Sequence, residues 1–363
     1  MQLHVYTTAE GFDALHEEWA ALLAVNAIDE VFLTWEWQQL WWEAYQPGDL
    51  WLVAGRDDAG ALIGIAPLYR ERDSQIVRFV GGLDVTDYLD LLVTPTARDA
   101  FCTKLADWLR DQAAAFNSIG LCDIPALSAN LHCLQHALET AGFAVEVVPH
   151  EVCPQITLPK TFEAHVEALD KKQRHELRRK LRRAEEGDGD KVDWYIVGQD
   201  DRVPAHNDFA DQLECFLYLM SASHPDKAAF LKSPHHVTFF RTAMPQLYAR
   251  GWVQLAFLTV NDEQVATYLS LDYGNRIGLY NSGLRPDIYS NLSTGIVLLA
   301  YIIRHAVEQG RTVFDFLRGN EEYKYRMGAH DTAVLELRAT LPVISTEPAA
   351  GIEQSVRQVA GDL

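Results

Sequence analysis

The order of elements read from the first half of this sequence recurs in the second, and a repeat of that kind limits the possible folds more than composition does. Alternation at Leu3–Thr7 predicts a strand, and the spacing of Phe12, Leu15, Trp19, Leu22 and Leu23 predicts a helix. Thr34 is placed to cap a second helix bearing Trp37, Leu40, Trp41 and Tyr45, with Pro47-Gly48 as its stop. Strand-like runs at Leu50–Gly55 and Ala61–Arg70 flank the turn Asp57-Asp58-Ala59-Gly60. Further strands are expected at Gln75–Val80, Tyr88–Val93 and Ser118–Asp123. Helices are expected from Thr94-Pro95 to about Phe116 and over Ser128–Thr140. A closing pair of strands covers Phe143–Val148 and Val152–Leu158.

The second half opens with two helices over Phe162–Glu186 and a strand at Val192–Val197. Helices follow at Asp208–Met220 and Pro234–Arg250. The strands Val253–Val260 and Val265–Asp272 flank Asn261-Asp262-Glu263-Gln264. Then come a strand at Arg276–Ser282, a helix at Thr294–Glu308 and strands at Thr312–Leu317 and Ala333–Ala339. Aligned at their hairpins, the halves predict an α/β protein of two tandem domains, 1–159 and 160–341. The boundary falls at Pro159 to Thr161, and residues 342–363 read as a C-terminal appendage.

Charge separates the halves. Residues 1–160 carry 8 basic and 23 acidic side chains, whereas residues 161–363 carry 23 and 28. The overall net charge of −20 argues against general DNA binding, because a phosphate backbone would be repelled. Five cysteines without a C-x-x-C pair argue against a disulfide framework and a zinc knuckle, and fit a reducing cytoplasm. No apolar run reaches the roughly 20 residues of a membrane span, and the N-terminus does not read as a signal peptide. The expected location is therefore cytoplasmic.

Three segments carry candidate chemistry. Lys171 to Arg183 holds eight of the 31 basic residues. Asp170 and Gln173 suit a capping box, and Lys171, Arg174, Arg178 and Arg182 share one helix face while Leu177 and Leu181 share another. The row suits a polyanion such as CoA phosphates, a lipid- or nucleotide-linked acceptor, an anionic lipid surface or tRNA; a solvated face is the structural alternative. The helix starting near Ser293 offers unpaired N–H groups and a partial positive charge. Ser293 or Thr294 can cap it and Gly295 lets a ligand approach, or it is an ordinary core helix. Asp315 falls among hydrophobic residues on a strand, where a carboxylate needs either a partner or a tuned pKa. Arg318, Tyr323 and Lys324 follow it within ten residues, the last two in a loop, and make a polar cluster for an anionic or sugar acceptor. His132 and His136 lie four apart without a third ligand, so no metal is expected. His235-His236 reads as solvent-facing, and Trp37, Trp41 and Trp42 as core.

The basic helix Lys171–Lys180, the segment Leu279-Tyr280-Asn281-Ser282-Gly283-Leu284, the helix start Ser290-Asn291-Leu292-Ser293-Thr294-Gly295 and the run Phe314–Lys324 resemble the GNAT N-acyltransferase superfamily. Within it, they look like the double-domain CelD/BcsL-type acetyltransferases associated with cellulose or exopolysaccharide production, which are related to Fem-type aminoacyltransferases. The resemblance is carried by residues 160–340; the first half shares only the order of elements. It implies two tandem GNAT-like domains, each a mixed, mostly antiparallel sheet flanked by helices. It also implies direct acyl transfer from acetyl-CoA or another acyl-CoA to a small-molecule or glycan acceptor: a sugar, an amine or a cell-envelope precursor. Donor contacts would come from Tyr268, Leu269, Ser270, Ser290, Asn291, Ser293, Thr294 and Gly295, with the pantetheine arm between the strands of Tyr268–Asp272 and Gly278–Ser282. Asp315 would serve as base and Tyr280 as general acid. Arg318, Tyr323, Lys324, Lys171, Arg174 and Arg178 would hold the acceptor. One departure is the single glycine where acetyl-CoA loops often carry more. The acidic loop Asp84-Val85-Thr86-Asp87 leaves the first domain without a donor site. A Fem-like aminoacyltransferase using aminoacyl-tRNA and a non-catalytic binding protein are the alternatives.

Overall fold

The computed structural model describes residues 1–82, 84–186, 189–199 and 204–341, with only the backbone of 204 and 205. The appendage read at 342–363 lies outside the described residues. The first half runs β1 (Gln2–Tyr6), α1 (Glu10–Leu23), α2 (Trp35–Tyr45), β2 (Gly48–Arg56), β3 (Leu62–Glu71), β4 (Ile76–Phe79), β5 (Leu92–Val93), α3 (Arg98–Asp111), β6 (Ser118–Pro125), α4 (Ala129–Thr140) and β7 (Ala144–Thr157). The second half runs α5 (Phe162–Ala168), α6 (Lys171–Glu186), β8 (Val192–Ile196), α7 (Phe209–Ser223), α8 (Pro225–Phe230), α9 (Pro234–Ala249), β9 (Val253–Val260), β10 (Glu263–Tyr273), β11 (Arg276–Leu284), α10 (Thr294–Glu308), β12 (Val313–Asp315), α11 (Glu322–Arg326) and β13 (His330–Thr340).

The described strands join in one sheet of thirteen, ordered β1-β2-β3-β4-β6-β13-β7-β12-β11-β10-β9-β8, with β5 on β3. The repeat read from sequence is visible in its wiring. Each half has one parallel pair, β4 with β6 and β11 with β12, and the remaining pairs are antiparallel. The closing strands are exchanged. β13, from the end of the second half, lies between β6 and β7 of the first, and β7 in turn pairs with β12. The fold is α/β, with the strands of both halves merged into one sheet at this seam.

Helices cover both faces. On one face α1, α2, α7 and α9 share a single core that draws Trp19, Trp37, Phe216 and Phe239 from both halves. On the other face α3 and α4 cover the first half, and α5, α6 and α10 cover the second. Thr34 caps α2 by accepting from the Trp37 N–H, as its position suggested. His236, read as solvent-facing, instead joins α9 to α2 through the Tyr45 hydroxyl at 2.8 Å, and His235 contacts the Ala44 carbonyl.

Several boundaries differ from the sequence reading. The two closing strands of the first half are one continuous β7, because β13 supplies a partner from Ala144 to Gln155 and β12 takes over at its end. Only Leu92–Val93 of the expected strand at Tyr88–Val93 is a strand. Residues 85–91 fold inward instead: Val85, Tyr88, Leu89 and Leu91 are buried and the Leu89 N–H bonds the Asp123 carbonyl. A short helix, α8, was not anticipated. Tyr323 and Lys324 lie in the short helix α11, where a loop was expected.

Gly283 of β11 is where α7 presses directly on the sheet. A Cβ there would lie 2.4 Å from the Met220 nitrogen and 2.5 Å from the Leu219 carbonyl carbon, which are backbone atoms that cannot rotate away. Gly283→Ala is expected to destabilise the protein by about 1–3 kcal/mol, the usual cost of overpacking. Chemical denaturation of the two proteins side by side measures it.

Candidate active site

The parallel pair β11/β12 lasts for three residue pairs, Arg276 with Val313, Ile277 with Phe314 and Gly278 with Asp315. Beyond Asp315 the chain stays with β7, since the Phe316 and Gly319 N–H groups donate to the Pro154 and Val152 carbonyls. β11 continues to Leu284 paired only with β10. A wedge therefore opens between Leu279–Leu284 and residues 316–319. Resemblance placed the opening between Tyr268–Asp272 and Gly278–Ser282. Those strands stay paired throughout, with one bulge at Leu269/Ser270, so the opening is one strand further along the sheet. Leu269 is core and Ser270 is wholly buried.

Lys324 fixes the far wall of this wedge. Its ammonium donates to the carbonyls of Leu317 (3.1 Å), Arg318 (2.8 Å) and Gly319 (3.0 Å), and pairs with Glu321 at 2.9 Å. The side chain is 2% exposed, so Lys324, expected from the sequence to hold an acceptor, has its ammonium engaged within this wall. Leu317, at φ 56°, makes the turn that this ammonium stabilises.

Asp315 sits at the apex, and its partners answer the choice the sequence left open. Its carboxylate accepts from the Tyr88 hydroxyl (2.8 Å), Gln155 (2.8 Å), Arg276 (3.0 Å) and the Leu317 N–H (2.8 Å). Arg276 also pairs with Glu30 at 2.9 Å. Burial pushes Asp315 up to about 6 against the pull of Arg276, and pushes Glu30 up to about 8. Arg318, expected at an acceptor, reaches into the first half instead, to Asp87 (2.6 Å) and both oxygens of Asp123 (3.2 Å). Tyr280 donates its proton to the Val85 carbonyl at 2.8 Å and is packed by Phe32, Trp37 and Phe240. These three side chains tie the halves together at the apex.

On one face of the wedge lies the start of α10. Ser293 adopts φ 54°, ψ 46° and makes no side-chain cap, contrary to expectation. Its carbonyl takes the Ile296 and Val297 N–H groups, while the N–H groups of Thr294 and Gly295 have no hydrogen bond among the described residues. The left-handed turn usually given to glycine is thus made by Ser293, and by Tyr289 at φ 51°. Gly295 leaves open space: a Cβ there would lie 3.7 Å from Leu284 and 3.9 Å from the Tyr268 hydroxyl. Tyr268 is buried, and its hydroxyl has no hydrogen bond among the described residues. Tyr323 stacks edgewise on Phe316, and its phenol is likewise unbonded. Burial, and then the neighbouring Tyr268, push the Tyr323 pKa upward, so it keeps its proton.

The basic helix α6 meets this same corner. Arg183 donates to the Asn291 carbonyl at 3.1 Å, beside the exposed Ser290. Asp170 caps α6 through the Lys172 and Gln173 N–H groups. Leu177 and Leu181 are buried as their spacing indicated. Of the cations singled out, Arg174 and Arg178 both pair with Glu167, and Lys171 is exposed.

On the opposite face a cleft of about 310 Å³ is lined by Asp84, Asp87, Asp226, Lys227, Tyr280 and Asn281, among others. Lys227 of α8 donates to the Ser282 carbonyl (2.6 Å) and hydroxyl (2.9 Å) on β11. Burial lowers its pKa to about 8. Sequence reasoning missed it, because His224-Pro225-Asp226-Lys227 matches no motif and its burial comes from a strand 55 residues away.

The wedge between a parallel strand pair, with an uncapped helix start beside it, is a GNAT arrangement. Residues 171–325 match the acetyltransferase (GNAT) domain family. No curated protein matches the sequence. Among solved structures the chain is similar to FemX, with TM-score 0.58 and 11% identity over 93% of this chain and 97% of that one. It is similar to the C-terminal domain of a putative lysylphosphatidylglycerol synthetase from Agrobacterium fabrum, with TM-score 0.52 and 12% identity over 90% and 92%. The L-PGS of Bacillus licheniformis gives TM-score 0.51 and 10% identity over 89% and 91%. The chain thus has a tandem-GNAT-like α/β fold, and the match to the acetyltransferase (GNAT) family is confined to residues 171–325 of it. Among the described residues no helix is long and apolar enough to cross a membrane.

Lys324→Met keeps the stem and removes the ammonium, leaving three carbonyls and Glu321 without their partner. A loss of about 3 kcal/mol or more is expected, with a lower melting temperature measured by calorimetry.

Proposed function

We propose that the protein transfers an acyl group from an acyl-CoA thioester to an amine held in the cleft between its halves. The observation that carries this is the uncapped start of α10 at the edge of the β11/β12 wedge. The free N–H groups of Thr294 and Gly295, the open space at Gly295 and the adjoining Arg183 of α6 suit a diphosphate. Ser290, Asn291 and Ser293 lie in the same turn. In the first half, the corresponding β4/β6 wedge is filled by residues 85–91, which supports a single donor site. The thioester at the end of the pantetheine arm would supply the activated carbonyl, and the edge of β11 is the wall available to that arm.

The acceptor side follows from charge. Asp84 and Asp226 line the cleft and favour a cationic group, such as an alkyl amine or the amine of a sugar in a cell-envelope or polysaccharide precursor. Lys227 is the base. In its neutral form it has two N–H bonds, both directed at Ser282, so its lone pair faces away from that strand. It takes a proton from the bound ammonium, which frees the nitrogen lone pair to attack. The N–C bond forms and the C–S bond breaks, Tyr323 or Tyr268, both still protonated, gives a proton to the departing thiolate, and the second proton shed by nitrogen leaves through solvent, from which the phenol is restored. Asp315 and Tyr280, read from sequence as base and acid, are positioning residues in this scheme because their polar atoms are already engaged.

A second reading is aminoacyl transfer. The likeness to FemX and to the lysylphosphatidylglycerol synthetase domain favours it, as does α6, which could meet tRNA or an anionic lipid. Calorimetry with acetyl-CoA against retention on tRNA at two salt concentrations separates the readings.

Two outcomes are expected. Gly295→Asp puts a carboxylate at the phosphate position and should weaken acetyl-CoA at least tenfold, about 1.4 kcal/mol, with little change in melting temperature. Unchanged affinity removes the donor site from α10. The rate with a saturating amine should rise with pH through about 8, because a lysine lowered to that value becomes neutral above it. Lys227→Met should lower turnover roughly 10²–10⁴-fold and flatten that limb. A normal profile in the variant would leave Lys227 only a tether for β11.

A further inference from the structure

A separate constellation lies on the seam where β13 enters the first half. Cys122 of β6, His150 of β7 and Glu336 of β13 come from three adjacent strands. One ligand atom from each, sulfur, ring nitrogen and carboxylate oxygen, lies within 4.8 Å of the others. The strands are distorted at this place. In the β13/β7 ladder the register shifts between Val334 and Leu335, whose partners are Glu151 and Pro149, so His150 is the residue left over. In the β13/β6 ladder the register shifts between Leu335 and Leu337, whose partners are Ile124 and Leu121, so Glu336 faces Cys122 and Asp123 unpaired. Two bulges thus converge on the three side chains, and bulges re-aim side chains.

We propose that Cys122, His150 and Glu336 form a zinc site that pins β13 to the first half. A thiolate and an imidazole select zinc over magnesium or calcium. Tetrahedral zinc, with bonds of about 2.0–2.3 Å, holds its ligand atoms roughly 3.3–3.8 Å apart, so small side-chain rotations close the set. Cys122 is buried while His150 and Glu336 are half-buried, which leaves an open side for entry and for water as fourth ligand. Asp123 lies 3.6 Å from His150 Nε2. Coordination through Nδ1 leaves that Nε2–H to the carboxylate, the usual support for a zinc-bound histidine. Two features oppose the site: burial pushes the Cys122 thiol up to about 12, so the metal must displace its proton, and Arg338 donates to Glu336 Oε2 at 2.6 Å. Arg338 is 56% exposed and free to swing out, and Glu336 retains its second oxygen for the metal.

Cobalt(II) tests this, because a thiolate ligand gives a sulfur-to-cobalt band that surface histidines such as His132 and His136 do not. The full chain, stripped with chelator, is titrated with Co²⁺ and then with Zn²⁺ in competition. The expected result is one metal per chain, tetrahedral cobalt bands with the sulfur band, and a higher melting temperature with zinc. His150→Gln and Glu336→Gln should each weaken binding at least tenfold, and Cys122→Ser should abolish the sulfur band. Acetyl-CoA affinity should be the same in all of them. Absence of the sulfur band in the parent protein overturns the proposal, as does binding that His150→Gln and Glu336→Gln leave unchanged. Those two variants carry the test if Cys122→Ser does not fold.

Discussion

The exchange of β7 and β13 is the constraint on which the rest depends. β12 is only three residues long and is held on one side by β7, a strand contributed by the first half. Residues 316–319 follow β7 when they part from β11, so the wedge exists because the halves share their closing strands. Neither half has its own complete sheet, and separating them would expose both edges of β13. The polar groups at the apex reinforce the seam. Asp315 and Arg276 of the second half meet Tyr88, Gln155 and Glu30 of the first, and Arg318 reaches Asp87 and Asp123. Breaking such a buried pair by removing one partner costs about 3–5 kcal/mol.

The division of charge seen in the sequence acquires a spatial meaning. The acidic first half supplies Asp84 and Asp87 to the cleft, and α8 adds Asp226. The basic helix α6 lies by the start of α10, on the other face of the sheet. On the function we propose, this arrangement would draw an anionic donor and a cationic acceptor to opposite faces of one wedge. Arg183 of α6 is held beside that helix start by the Asn291 carbonyl, so its charge adds to the partial positive charge there, and both are screened by salt.

What was legible in the sequence was local. The hairpins, the Thr34 cap, the α6 capping residue and the apolar Leu177 and Leu181 of α6 depend on neighbours within a few positions, and alternation or 3.6-residue spacing reports them. The demand of Asp315 for partners was also legible, since a carboxylate on a buried strand is costly alone. Its partners were not, because Glu30, Tyr88 and Gln155 are brought to it only by the exchanged sheet. The same applies to Lys324. Its ammonium looked like a ligand-binding charge until three carbonyls of one turn were found around it. Lys227 and the trio Cys122, His150 and Glu336 carry no spacing signal at all, being assembled across strands. The left-handed Ser293 shows the converse: the backbone makes a turn that glycine usually makes, with no glycine at that position to announce it.

The central claim is that an acyl-CoA lies in the β11/β12 wedge with its diphosphate on α10. A crystal structure of the full chain grown with a non-hydrolysable acetyl-CoA analogue tests it most directly. The predicted result is diphosphate density against the Thr294 and Gly295 N–H groups, with the arm running along Leu279–Leu284 opposite residues 316–319. Density for the analogue in the first half, along the outer face of α6, or nowhere in crystals grown at saturating concentration, would contradict it.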